Sequence, residues 1–196
     1  TTTLQKPVQV GFALPVPSVL FSGHLPAGSS CAASKLGSHS HHVPKTLIPL
    51  TPVLVWPKDF RAQIQKICNH EIIHTIFDAE PIGPKKLLDV LVVAPCTGNT
   101  LGKLANGIYD TSVTLAVKAH LRNARPVVIA VSTNDALASS AKNIGTLFNN
   151  RHIFFVPMAQ DNAQSKPTSI VADFTKLIPS IESALEEKQL QPVLLG

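Results

Sequence analysis

The sequence predicts a doubly wound α/β domain, with a mostly parallel sheet covered by helices on both faces. Three observations carry that expectation. Continuous apolar runs recur at Leu87–Ala94, Pro126–Val131 and His152–Val156, as in parallel strands buried on both faces. Each run feeds a polar loop. The segments between them carry helical apolar spacing, and strands that alternate with helices build parallel crossover units, which are right-handed.

Taken in order, Val8–Leu14 reads as a first buried strand ending in a small-residue turn. Residues 15–56 change character. They are rich in Pro, Ser and His, carry only Lys35 and Lys45 as charges, and follow neither a helical nor a strand period. Structureless stretches of that length are uncommon inside compact domains. Asp59–Asn69 reads as a helix with Phe60, Ile64, Ile67 and Cys68 on its apolar side. Glu80–Pro84 is a turn by its Pro and Gly content. Leu87–Ala94 is a strand and Pro95–Thr100 a polar loop, with helices at about Leu101–Asn106 and Ser112–Asn123. Pro126–Val131 is the next strand. A helix runs from Asn134–Asp135 through Phe148, then a strand His152–Val156, a loop Pro157–Thr168 and a last helix Ser169–Glu187. The order describes a flavodoxin/Rossmann-like three-layer fold, and 196 residues suit a single domain, 1–196.

Composition narrows the function classes. Hydrophobic residues make up 44% of the chain, as in globular proteins. No run of about 18 uncharged apolar residues marks a membrane span, and the start lacks a secretory pattern. Three scattered cysteines (Cys31, Cys68, Cys96) fit reduced thiols in a cytoplasm better than a disulfide framework. The net charge of +5 is concentrated at one end: residues 1–58 hold Lys6, Lys35, Lys45 and Lys58 and no acid, whereas 13 basic and 12 acidic residues follow. Without an Arg cluster or interleaved aromatics, no nucleic-acid surface is expected.

In doubly wound sheets, ligands bind beyond the carboxyl ends of strands. Two polar loops stand there. In the first, Pro95 ends the strand, Gly98 permits a tight turn, and Thr97, Asn99 and Thr100 supply hydroxyl and amide groups around Cys96. Backbone N–H groups at the next helix start can hold a phosphate or an electron-rich ring edge. The second loop is Ser132, Thr133, Asn134 and Asp135. Both also read as helix N-caps, since these residue types are favoured there without any ligand. Gly11, in the first strand, joins the candidate cofactor contacts. Cys96 reads as a reactive thiol near a helix start or as a small packing residue. Asp135 reads as a general base or a cap, and Asp161 carries the same ambiguity. His70 and His74 read as structural. His39, His41 and His42 lack a carboxylate or Cys pair at ligand spacing, so no metal site is expected.

The loop Ala94-Pro95-Cys96-Thr97-Gly98-Asn99-Thr100 is similar to the Pro-Ala-Ser-Ala-Asn-Thr signature of the homo-oligomeric flavin-containing Cys decarboxylases. Pro95, Asn99 and Thr100 match by position, whereas Cys96, Thr97 and Gly98 replace Ala-Ser-Ala. The resemblance implies flavin contacts from this loop and a substrate-positioning, catalytic role for Asn99. That superfamily's second signature, Pro-x-Met-Asn-x-x-Met-Trp, is replaced by Pro157-Met158-Ala159-Gln160-Asp161, which argues against a cysteine decarboxylase. A narrower resemblance covers more. Ala79–Lys85, the loop above, Leu121–Asn123 with Arg125–Val128, Ser132–Leu137 and Lys188–Pro192 together resemble the flavoprotein-like B subunits of dipicolinate synthase, from Asp59 onward plus Gln9–Leu14.

That resemblance implies oxidation of a dihydrodipicolinate-level precursor to dipicolinate, together with an A subunit, in the mother-cell cytoplasm of a sporulating bacterium. NAD(P) belongs to the A subunit, consistent with the absence here of G-x-G-x-x-G. FMN and self-association are expected by resemblance to the wider superfamily. Two alternatives remain open: an FMN-dependent decarboxylase-type flavoprotein, and a non-catalytic scaffold for the A subunit.

The same family begins with a strand, a Thr-Gly-Ser-His-Cys turn that would hold a flavin phosphate, and a helix. Here the strand is followed by Pro15-Val16-Pro17-Ser18. The codons ACC-GGT-TCC-CAN, read one base later, give CCG-GTT-CCC, which is Pro-Val-Pro. Residues 15 to about 56 are accordingly read as translated out of frame, with a compensating shift near Trp56 and Pro57. A divergent loop is the alternative. The expectation is coil with short fragments at most, and the loss of the first phosphate turn, one crossover helix and the second strand.

Overall fold

A computed structural model describes residues 9–13, 46–50, 62, 65–66 and 70–196. The strands are β1 (Gln9–Ala13), β2 (Thr46–Leu50), β3 (Val90–Cys96), β4 (Val127–Thr133), β5 (Ile153–Phe155), β6 (Met158–Ala159) and β7 (Ile170–Ala172). The helices are α1 (Ile76–Ala79), α2 (Gly98–Ala105), α3 (Ser112–Leu121), α4 (Ala141–Phe148) and α5 (Leu177–Leu185). Short 3-10 turns occupy Glu80–Ile82 and Phe174–Lys176.

Neighbouring strands run β2-β1-β3-β4-β5, all parallel. This is the flavodoxin-like doubly wound order. The outer edge of β4 is forked. Val127, Val128 and Ile129 pair with β5, whereas Ser132 and Thr133 pair antiparallel with Val171 and Ile170 of β7, which in turn pairs with β6.

Alternation along the strands creates two cores. Leu91, Val93, Val127, Ile129, Val131 and Phe155 pack with Leu101, Leu104, Val113, Val117, Ile144 and Leu147 of α2, α3 and α4. Their sequence neighbours Val90, Val92, Ala94, Val128, Ala130 and Phe154 pack with Leu177, Ile181 and Ala184 of α5. Side chains alternate between the faces of a strand, so both sets must be apolar. Each Val, Leu, Ile or Phe among them contributes roughly 1.5–3 kcal/mol on burial. This is the physical content of the unbroken apolar runs.

Several boundaries move. β3 extends through Pro95 and Cys96, and α2 begins at Gly98 rather than Leu101. The helix expected from Asn134 begins only at Ala141, after a turn over residues 134–140. The loop Pro157–Thr168 contains β6. The expected last helix divides: Ile170–Ala172 is a strand, and Asp173 caps the 3-10 turn after it by accepting from the Thr175 N–H at 2.9 Å. A run of β-branched Ile170 and Val171 beside an exposed sheet edge favours pairing over a helix. Thr46–Leu50 pairs with β1 in parallel, so a second strand is present where none was expected. The remainder of 15–56 and most of the Asp59–Asn69 helix lie outside the described residues. Among the described residues, no helix is long and apolar enough to cross a membrane.

Candidate functional site: two turns at adjacent strand ends

β3 and β4 are parallel neighbours, so their carboxyl ends meet at one end of the sheet. The register slips between Val93 and Cys96, after which Cys96 pairs with Val131. Thr97 then stands extended as the cap of α2 and makes no side-chain cap bond. Its Oγ1 lies 3.5 Å from Thr100 Oγ1. The two turns touch at Gly98. A Cβ there would lie 2.8 Å from Asp135 Oδ1 and Thr133 Oγ1 and 3.0 Å from Ser140 Oγ. Glycine is required because the second turn is pressed against the start of α2.

Asp135 is the centre of the second turn. Ser139 donates to its Oδ2 at 2.6 Å, Thr133 to Oδ1 at 2.5 Å, and Ser140 to Oδ2 at 3.0 Å. These hydroxyls, Ser139 foremost and then Thr133, hold the carboxyl below the ordinary carboxylate range. A carboxylate so stabilised is a weak general base and a strong positioning group. The turn is anchored from outside as well. Thr168 donates to the Asn134 carbonyl at 2.6 Å, and the Leu137 N–H donates to the Thr168 carbonyl at 2.9 Å. Ser139, Ser140 and Thr168 were not singled out from the sequence. The spacing of two serines four and five residues after Asp135 is the signal that could have found the first two.

The remaining candidates separate. Asn99 is exposed, Pro95, Thr97 and Gly98 are half-buried, and Thr100 is buried. Ser132 is buried at the end of β4, Thr133 half-buried and Asn134 exposed. Cys96 is fully buried in the core beneath the turn, and burial pushes its thiol far up. That is the environment of an inert packing thiol. Gly11 sits mid-strand, paired with Leu91 and Ile48. A Cβ there would run into the Leu88 and Leu91 side chains, so its smallness serves packing. Asp161 forms an ion pair with Lys166 at 3.1 Å. His70 and His74 are both exposed. The His39–His42 cluster lies outside the described residues, and no metal-binding group occurs among the described ones.

Comparison with known proteins gives this geometry a context. Residues 29–181 match the family described as Flavoprotein. The dipicolinate synthase B subunit of Bacillus subtilis is 47% identical over 133 residues, 68% of this chain and 66% of that protein, just under two thirds of its length. The crystal structure of the dipicolinate synthase B subunit from Bacillus halodurans is similar with a TM-score of 0.80 at 35% identity, over 97% of each chain. Burkholderia xenovorans DmrB, solved in complex with FMN as a cubic protein cage, shares the fold (TM-score 0.61, 14% identity, 93% of this chain and 97% of that one). The chain belongs to the Flavoprotein family and, within it, to the dipicolinate synthase B subunits.

Proposed function

We propose that the chain works as the B component of a two-subunit dipicolinate synthase. A dihydrodipicolinate-level precursor gives up a hydride to NAD(P)+ and a proton to solvent or protein, and the ring becomes aromatic. In this reading the A subunit holds the nicotinamide, consistent with the absence of a dinucleotide fingerprint from this chain. The observation that carries this reading is the 47% identity to the Bacillus subtilis protein, in a fold that joins two polar turns at the carboxyl ends of β3 and β4. The name of that relative itself implies a partner. Self-association, supported by the cage-forming neighbour, and a mother-cell location belong to the same proposal.

FMN fits the first turn in one respect and not in another. The Asn99 side chain is exposed and makes no hydrogen bond among the described residues, and Thr97 leaves the first amides of α2 without a side-chain cap. Those groups suit a flavin ring edge. Asp135, however, places a carboxylate against Gly98, and like charge disfavours a phosphate there. The ring edge is therefore assigned to Thr97–Thr100, and the phosphate is not. FMN supplies a reversible two-electron acceptor when bound. This chain's own contributions are positional: Asn99 orients the substrate, Ser132, Thr133 and Asn134 line the neighbouring wall, and Asp135 fixes both turns.

Mixing purified chain with its A subunit, NAD(P) and precursor tests the reading. Dipicolinate is expected only from the complete mixture, and turnover by this chain alone would overturn the division of labour. A flavin absorbance spectrum of the purified chain separates a flavoprotein from a scaffold.

A further inference from the structure

An open concavity lies away from these turns. It measures about 330 Å3 between α3 and the Glu80–Pro84 turn. α3 presents Leu115, Lys118, Ala119 and Arg122 along one stripe, the neighbouring positions of a helix surface. These residues belong to the segments that lead into β3 and β4, so the cavity lies toward the amino ends of those strands. The turns described above stand at the opposite ends.

The cavity is preformed. Asn123 Nδ2 donates to the Gly83 carbonyl at 2.8 Å and lies 3.4 Å from that of Ala119, tying the two walls together. A Cβ on Gly83 would lie 3.1 Å from the Ala119 Cβ and its carbonyl oxygen. Lys118 Nζ is held 4.8 Å from the centre of the Tyr109 ring. Neither Lys118 nor Arg122 enters an ion pair among the described residues. Two cations near the end of α3 complement its exposed carbonyls, which accounts for the charges but not for the cavity beside them. Leu115 and Ala119 give that cavity an apolar floor. Glu80 stands on the opposite wall, so an anion is favoured on the α3 side, next to Lys118 and Arg122.

We infer that this cavity binds a small dicarboxylate with a flat apolar body, its carboxylates on Lys118 and Arg122 and its body over Leu115 and Ala119. Cation pairs of this kind recognise carboxylates through charge-assisted hydrogen bonds. The physiological occupant rests on the function proposed above, because dipicolinate has this chemistry. The site would then sense product at a place remote from its formation.

Calorimetric titration of the full chain, without its partner, tests the inference with dipicolinate, isophthalate, benzoate and inorganic phosphate. Saturable binding of both dicarboxylates is expected, with benzoate weaker. Arg122→Gln and Lys118→Gln should each weaken dicarboxylate binding by about tenfold or more, as loss of a charge-assisted hydrogen bond does. Arg151→Gln, which removes an exposed ion pair to Glu187 at 3.9 Å, should leave it unchanged. Absence of binding, binding indifferent to both Arg122 and Lys118, or phosphate binding as tightly as isophthalate would overturn the site. Arg122-dependent isophthalate binding together with a reconstituted mixture that makes no dipicolinate would preserve the site and sink the proposed reaction.

Discussion

The side-chain amide of Gln189 pairs with the main chain of Phe155 as a strand would: it accepts from the Phe155 N–H at 2.7 Å and donates to the Phe155 carbonyl at 2.7 Å. β5 is a short edge strand, and unpaired edge groups are a template for association. One amide thus closes the edge from which Phe155 also stacks on Phe148, with ring centres 4.0 Å apart. Gln189→Ala should cost about 1–3 kcal/mol by leaving these groups unsatisfied. Gln189→Glu, which keeps the acceptor and loses the donor, should be no better. Urea denaturation measures both, and an unchanged midpoint in each would remove Gln189 from the account.

Gly98 and Asp135 can be tested together. Gly98→Ala pushes a methyl into Asp135, Thr133 and Ser140, and overpacking of this kind costs about 1–3 kcal/mol. Asp135→Ala removes one of the three obstructing oxygens, so the double variant should recover part of the loss. Purely additive effects in the double-mutant cycle would show that the two turns are not coupled.

His120 sets a pH dependence. Its ring is buried at the end of α3, with Nε2 3.1 Å from the Pro126 carbonyl, and burial lowers its pKa from 6.5 to about 4. The unfolded chain therefore binds the proton more readily than the folded one between these values. Stability should fall as pH drops from 6.5 toward 4, by about 3 kcal/mol from this group alone. His120→Asn should flatten that part of the profile. A slope equal to that of the parent chain would place the effect elsewhere.

Cys96 should resist thiol reagents in the native state and react only after denaturation, because a buried neutral thiol presents little thiolate. Peptide mapping after timed alkylation distinguishes it from Cys31 and Cys68. Rapid native labelling at Cys96 would contradict its place in the core.

Asn99→Ala should lower kcat/KM of the reconstituted enzyme while leaving stability within about 0.5 kcal/mol, since the side chain is exposed. An unchanged kcat/KM would assign Asn99 to the helix start alone.

The three central strands and the two strand-end turns were legible because burial on both faces leaves no polar residue in Val90–Ala94 or Val127–Val131. The start of α4 was not, because Asn134 and Asp135 look like a cap while their hydrogen bonds go to Thr168, Ser139 and Ser140. β7 was missed because three residues hold no period, and only a long-range edge makes them a strand. Gly11 and Cys96 share one ambiguity. A small residue on a strand looks the same in sequence whether a ligand or a core side chain claims the space.

The fork in β4 makes the two halves of that strand answer to different constraints. Its first half is clamped between β3 and β5 and tolerates little change. Its last two residues are held by β7, on a segment that leaves β6 after Ala159 and returns at Ile170 after the exposed Asp161–Lys166 excursion. Residues can be added or removed within that excursion without shifting the register of any parallel strand. The wall beside the Asp135 turn can therefore be lengthened, shortened or exchanged on its own, so related chains can diverge in ligand while keeping the same frame.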